Sequence, residues 1–190
     1  MNIGEIEQKL KLNLKPERYR HTIGVAYTAA SMAMTFGEDI QKAYRAGLLH
    51  DCAKGYSLEQ QRIFCEKYKI PFDGILMDSP QLMHSALAPF IAKEFYGETD
   101  MEILNAIECH TTGKPKMKPL DQIIFIADYI EPNRKMIPGL IEIRKRAFRN
   151  LDECTLQILD HTIKYLKGKK QKIDHRTIET YEYYLKKTKA

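Results

Sequence analysis

The sequence predicts an all-α protein, and three observations lead there. Apolar residues recur at spacings of three and four through nearly every segment, the signature of amphipathic helices. Gly and Pro fall between those segments and mark their ends. The one strand-like run, IIFIA at 123–127, lies inside a longer apolar segment whose length and flanks favour a helix. A chain of 190 residues is the size of one domain with a proper core, so one domain is expected over 1–190.

The helices can be placed in order. Residues 3–12 form a first amphipathic segment, which Pro16 ends or restarts. Residues 20–36 are rich in Ala and Met, with Gly37 as a stop, and residues 38–49 form a second stretch running into His50 and Asp51. Ser57 with Gln60 reads as a capping box for a helix to about Tyr68. Residues 71–80 read as an irregular connector. Residues 81–96 are amphipathic again, and Asp100 caps a helix over 101–109. Residues 111–118 form a polar loop, residues 120–130 a strongly apolar helix ended by Pro132, and two or three helices fill the chain from Gly139 onward. The last of these contains Tyr181, Tyr183 and Tyr184.

Composition excludes several classes. A hydrophobic fraction of 44% and a charged fraction of 29% are those of an ordinary globular protein. No apolar run reaches the ~18–20 residues that span a bilayer, and the N-terminus lacks a signal-peptide core, so a cytoplasmic protein without a membrane partner is expected. Cys52, Cys65, Cys109 and Cys154 show no CxxC pairing and are expected to be reduced thiols. The formal charge of +5 is concentrated at the C-terminus, where Lys and Arg exceed Asp and Glu by six between 164 and 189. No aromatic–basic recognition pattern accompanies that tail, so a solvated helix face is favoured over a nucleic-acid partner.

The chemistry lies in the His and Asp residues. Of six His, four stand near helix ends or on apolar faces: His21, His50, His84 and His110. His50 is followed directly by Asp51, and Asp128 interrupts the apolar run IIFIADYI. A carboxylate in such a setting needs a partner, either a metal ion or a cation such as Arg134. Imidazole and carboxylate suit iron, manganese, zinc and related ions, and helix bundles build such sites from converging side chains. Glu131 reads as a helix terminator, and His161 and His175 as structural or surface residues. No Gly-rich phosphate loop is present.

The order His21, His50-Asp51, Asp128 resembles the H…HD…D signature of the HD-domain metal-dependent phosphohydrolases. RHTIGV around His21, LLHDCAKG around His50, MHSALA around His84, CHTTG around His110 and IADYIEPNR around Asp128 resemble the YqeK group, the symmetrical bis(5′-nucleosyl)-tetraphosphatases. The resemblance covers about residues 16–150, with the C-terminal helices expected to pack on that core as a helical bundle. It implies two divalent or trivalent transition-metal ions. His21, His50, Asp51 and Asp128 would hold one, with Asp51 bridging to a second completed by His84 and His110. It implies iron, with manganese compatible with the same ligands, and cleavage of diadenosine tetraphosphate or a related dinucleotide into two nucleoside diphosphates.

Lys54, three residues after Asp51, is expected to hold a phosphoryl oxygen, and Arg134 to clamp phosphate with its planar fork. Arg20, Thr111 and Lys114 are further substrate-binding candidates in the same loops. Other readings remain open: hydrolysis of another nucleotide or an alarmone, or a nucleotide-binding regulatory protein with a structural metal. A homodimer is in keeping with the family, though no interface residue is legible.

Overall fold

The computed structural model describes residues 1–71 and 82–189, and these form ten α-helices and one 3₁₀ turn with no strand. The helices are α1 (Ile3–Asn13), α2 (Pro16–Phe36), α3 (Ile40–Leu49), α4 (Leu58–Lys67), α5 (Met83–Tyr96), α6 (Met101–Cys109), α7 (Pro119–Ile130), α8 (Leu140–Ala147), α9 (Leu151–Gly168) and α10 (His175–Lys187). The 3₁₀ turn, Cys52–Gly55, lies between α3 and α4. Of the connector expected over 71–80, all but Pro71 lies outside the described residues, as does Gln81.

Local chemistry sets the boundaries. Pro16 occupies the first turn of α2, where its missing N–H costs nothing, so this helix begins four residues before the expected start. Gly37 ends it in the left-handed region at φ 72°. Asp39 accepts from the Gln41 and Lys42 amides to start α3, and Asp100 accepts from Glu102 to start α6. The Ser57–Gln60 capping box is present at α4. The IIFIA run is helical, within α7.

α7 is the axis of the molecule. Leu120, Ile123, Ile124, Phe125, Ile126, Ala127 and Ile130 are all buried, and α7 packs on α2, α3, α6, α8 and α9. A helix apolar on every side belongs inside a core. The most extensive pairing is α2 with α3. Gly47 permits it, since a Cβ there would stand 2.6 Å from the Ala26 Cα. That close approach brings His21 on α2 and His50 at the end of α3 into ring contact, with centroids 5.5 Å apart.

Candidate metal centre

Six side chains from five helices converge at helix ends. His21 comes from the first half of α2 and Asp128 from the last turn of α7. His50 and His110 each follow the last residue of their helices, α3 and α6. Asp51 follows His50, and His84 lies in the first turn of α5. Helix C-termini favour positive charge, so two of the imidazoles stand where a cation is welcome.

Asp51 is at the centre, 1% exposed, and its two oxygens face different pairs of histidines. Oδ2 lies 3.4 Å from His50 Nε2 and 3.9 Å from His21 Nε2, whereas Oδ1 lies 3.3 Å from His84 Nε2 and 3.6 Å from His110 Nε2. Asp128 Oδ1 adds to the first side, 3.0 Å from His21 Nε2 and 3.9 Å from His50 Nε2. Two ligand groups emerge, His21–His50–Asp51 and Asp51–His84–His110, sharing the one carboxylate.

These groups fit a metal. Nε2 of His21, Nε2 of His50 and Oδ1 of Asp51 are buried without a hydrogen-bond partner. Nδ1 of His50 and of His110 lies 2.6 Å from a backbone carbonyl oxygen, of Gly47 and Ile107 respectively. A carbonyl only accepts, so Nδ1 carries the proton and Nε2 turns a lone pair into the cluster. Unpaired buried acceptors cost about 1–3 kcal/mol each, and a cation among them removes that cost. Burial opposes ionisation of Asp51, but His50, His110 and His84 outweigh it and hold the carboxyl well below its ordinary range. Burial is likewise outweighed at Asp128, by the close approach of His21 and by the charges of Arg134, His50 and His110.

The cations flank this cluster. Lys54 Nζ is 3.6 Å from Asp51 Oδ1. Arg134 donates from Nε to the Asp128 carbonyl and from Nη2 to Asp128 Oδ1, both at 2.7 Å. The pairing of Asp128 with Arg134 is therefore present beside the His contacts. Arg20 is exposed and lines a cavity of about 470 Å³ with Lys15, Arg18, His21, Arg134 and Lys135. Thr111 has a buried hydroxyl oxygen without a partner, next to His110. Lys114 pairs with Asp121 of α7, at 3.1 Å.

Two residues outside the sequence-based set also reach the cluster. Arg18 donates from Nη1 to Asp51 Oδ2 at 2.8 Å. Glu131, 1% exposed, accepts from Nδ1 of His21 at 3.0 Å. Each stands three residues from a ligand, Arg18 before His21 and Glu131 after Asp128, and that spacing on a helix was the available signal. His161 lies away from the cluster, 2.5 Å from the Tyr129 hydroxyl, and His175 is exposed. All four cysteines are free and buried. Among the described residues no helix is long and apolar enough to cross a membrane.

A helical bundle whose ends gather His21, His50-Asp51 and Asp128 defines a class, and the chain belongs to the HD-domain family, whose pattern matches residues 18–133. It is similar over nearly its whole length to the symmetrical bis(5′-nucleosyl)-tetraphosphatase of Halalkalibacterium halodurans, with 39% identity over 185 residues that cover 97% of this chain and 98% of the relative. The protein of that name from Bacillus subtilis is 37% identical over 183 residues, covering 96% and 97%. A crystal structure from Clostridium acetobutylicum, described as a predicted HD superfamily hydrolase involved in NAD metabolism, matches with a TM-score of 0.94 and 38% identity over 98% of each chain.

Proposed function

We propose that this protein is a metal-dependent hydrolase that cleaves dinucleoside tetraphosphates such as diadenosine tetraphosphate at the central anhydride. Water adds across the oxygen joining the second and third phosphorus atoms, and two nucleoside diphosphates leave. The observation that carries this reading is the placement of Asp51, one oxygen toward His21 and His50 and the other toward His84 and His110, beside a cavity rich in Lys and Arg. The near-full-length similarity to symmetrical tetraphosphatases supports the substrate and the position of cleavage.

His21, His50, Asp51 and Asp128 would hold one ion, and Asp51, His84 and His110 a second, iron being favoured by the family. Bound there, such ions supply an activated water and neutralise charge on the phosphoryl oxygens. The chain's own groups do the positioning. Lys54 and Arg134 offer charge-assisted hydrogen bonds to phosphoryl oxygens, and Arg134 does so with a planar fork. Arg18 and Arg20 extend that positive field along the cavity, which would receive the remaining phosphates. The leaving group is a nucleoside diphosphate, stable as an anion, so no protein general acid is needed, and positioning with electrostatics carries the rate.

The test is product analysis. Protein reconstituted anaerobically with Fe²⁺ or Mn²⁺ is incubated with diadenosine tetraphosphate and the nucleotides are separated. ADP alone, with release stopped by a chelator, is expected. ATP plus AMP would overturn the position of cleavage, and no product with either metal would overturn the substrate.

A further inference from the structure

The imidazoles of the centre are not backed by the same kind of group. Behind His50 and His110 stand the carbonyl oxygens of Gly47 and Ile107, neutral dipoles 2.6 Å from Nδ1. Behind His21 stands a full carboxylate, Glu131, with Oε1 3.0 Å from Nδ1. A carboxylate only accepts, so His21 carries its proton on Nδ1 and presents the Nε2 lone pair to Asp128 and Asp51. Negative charge behind an imidazole also makes it the more basic ligand.

Glu131 is held for this task. Its Oε2 accepts from the backbone N–H of Asn133 at 2.6 Å and from Asn133 Nδ2 at 3.0 Å. Its backbone carbonyl accepts from Arg144 Nη2 at 2.8 Å, while Arg144 Nε donates to the Ile130 carbonyl. Among the described residues the carboxylate has no Lys or Arg within ion-pair distance, and the His21 imidazole is its one titratable partner. A buried carboxylate needs balancing charge. The route to it is through the imidazole, from a cation on the opposite nitrogen. Space for the carboxylate comes from Gly24, one turn beyond His21, where a Cβ would meet Glu131 Oε2 at 2.3 Å.

We propose that Glu131 is a positioning residue of the metal centre. It locks His21 in the ligating tautomer and makes the side built by His21, His50, Asp51 and Asp128 the first to take an ion. Among the described residues the opposite side has two imidazoles and the other Asp51 oxygen, with fewer carboxylates to attract a cation. The inference rests on the metal-centre reading above and adds an order of filling and a residue that sets it.

The test adds Co²⁺ in increments to metal-stripped protein, following visible ligand-field absorption and bound metal per chain after ultrafiltration. Wild-type protein is expected to bind two Co²⁺ in two resolved steps. Glu131→Gln is expected to weaken the first step by about 10–100-fold while changing the second little. Gly24→Ala displaces the carboxylate without removing its charge, and it is expected to weaken the same step. Because Ala suits a helix interior better than Gly, this variant separates loss of the site from loss of the helix. Both steps unchanged in both variants would overturn the inference. So would equal weakening of both steps accompanied by a lower melting temperature of the metal-free protein, which is what a purely structural anchor gives. If wild-type protein bound no Co²⁺, the metal centre itself would fall, a result distinct from either.

Discussion

Arg18 donates from Nη1 to Oδ2 of Asp51 at 2.8 Å, the same oxygen that faces His50 and His21. It is half-buried and also lines the basic cavity, so one guanidinium spans the His–Asp cluster and that cavity. A hydrogen bond to a charged group contributes about 1.5–3 kcal/mol. Arg18→Ala is expected to lower kcat/KM by roughly ten- to a hundredfold while the protein keeps its metal. Steady-state kinetics beside metal analysis checks both halves of the statement.

Lys54 reaches toward the other oxygen of Asp51 from an exposed position on the 3₁₀ turn. In the proposed role Lys54 would supply a point charge for a phosphoryl oxygen without entering the ligand set. Lys54→Ala is expected to reduce turnover by about tenfold or more with metal content unchanged. Loss of metal in step with activity would instead make Lys54 a support of the centre.

Arg134 makes two parallel contacts with Asp128, through Nε and Nη2. Such a fork cannot be reproduced by an ammonium group. Arg134→Lys should therefore behave like Arg134→Ala, raising KM for the dinucleotide. Full activity in the Lys variant would show that charge alone is required.

Stability depends on another buried carboxylate, outside the His–Asp cluster. Glu98, 4% exposed, accepts from the Thr99 and Asp100 amides and from Arg45 Nε, tying the α5–α6 connection to α3. Removing one partner of a buried pair costs about 3–5 kcal/mol, because the other charge stays behind. Glu98→Ala should lower the urea midpoint by the equivalent of about 3 kcal/mol while the remaining folded protein stays active.

The cysteines should be silent in the folded state. Burial pushes Cys109 and Cys154 up to about 12, and it raises Cys52 and Cys65 as well. The thiolate is the reacting species, so native protein at pH 8 should not react with an aromatic disulfide reagent over minutes. After unfolding, all four thiols should react.

The helical architecture was legible because its signals are local. Pro16, Gly37, Asp39, Ser57 and Asp100 act within one turn of themselves, and the spacing of apolar residues reports burial directly. The convergence of His21, His50, Asp51, His84, His110 and Asp128 is not local: His and Asp near helix ends and on apolar faces suggested a shared site, and the resemblance supplied its division into two ligand groups. Arg20 is a substrate-binding candidate from the sequence and Arg18 is not. On a helix the residue one back faces another way, and the residue three back shares the face. The Arg18–Asp51 contact follows from that geometry, as does the Glu131–His21 contact across two helices. Lys114 looked available in a polar loop, yet it pairs with Asp121, a contact set by how α7 docks.

Asp51 faces both halves of the cluster, and the direct measurement of its role is metal per chain in wild-type protein and in Asp51→Asn, with turnover on diadenosine tetraphosphate. Asn keeps the size of the side chain and removes its charge. Two ions per chain in wild-type protein, fewer than one in the variant and no detectable ADP are expected. An Asp51→Asn protein that keeps two ions and near-normal turnover would contradict the account.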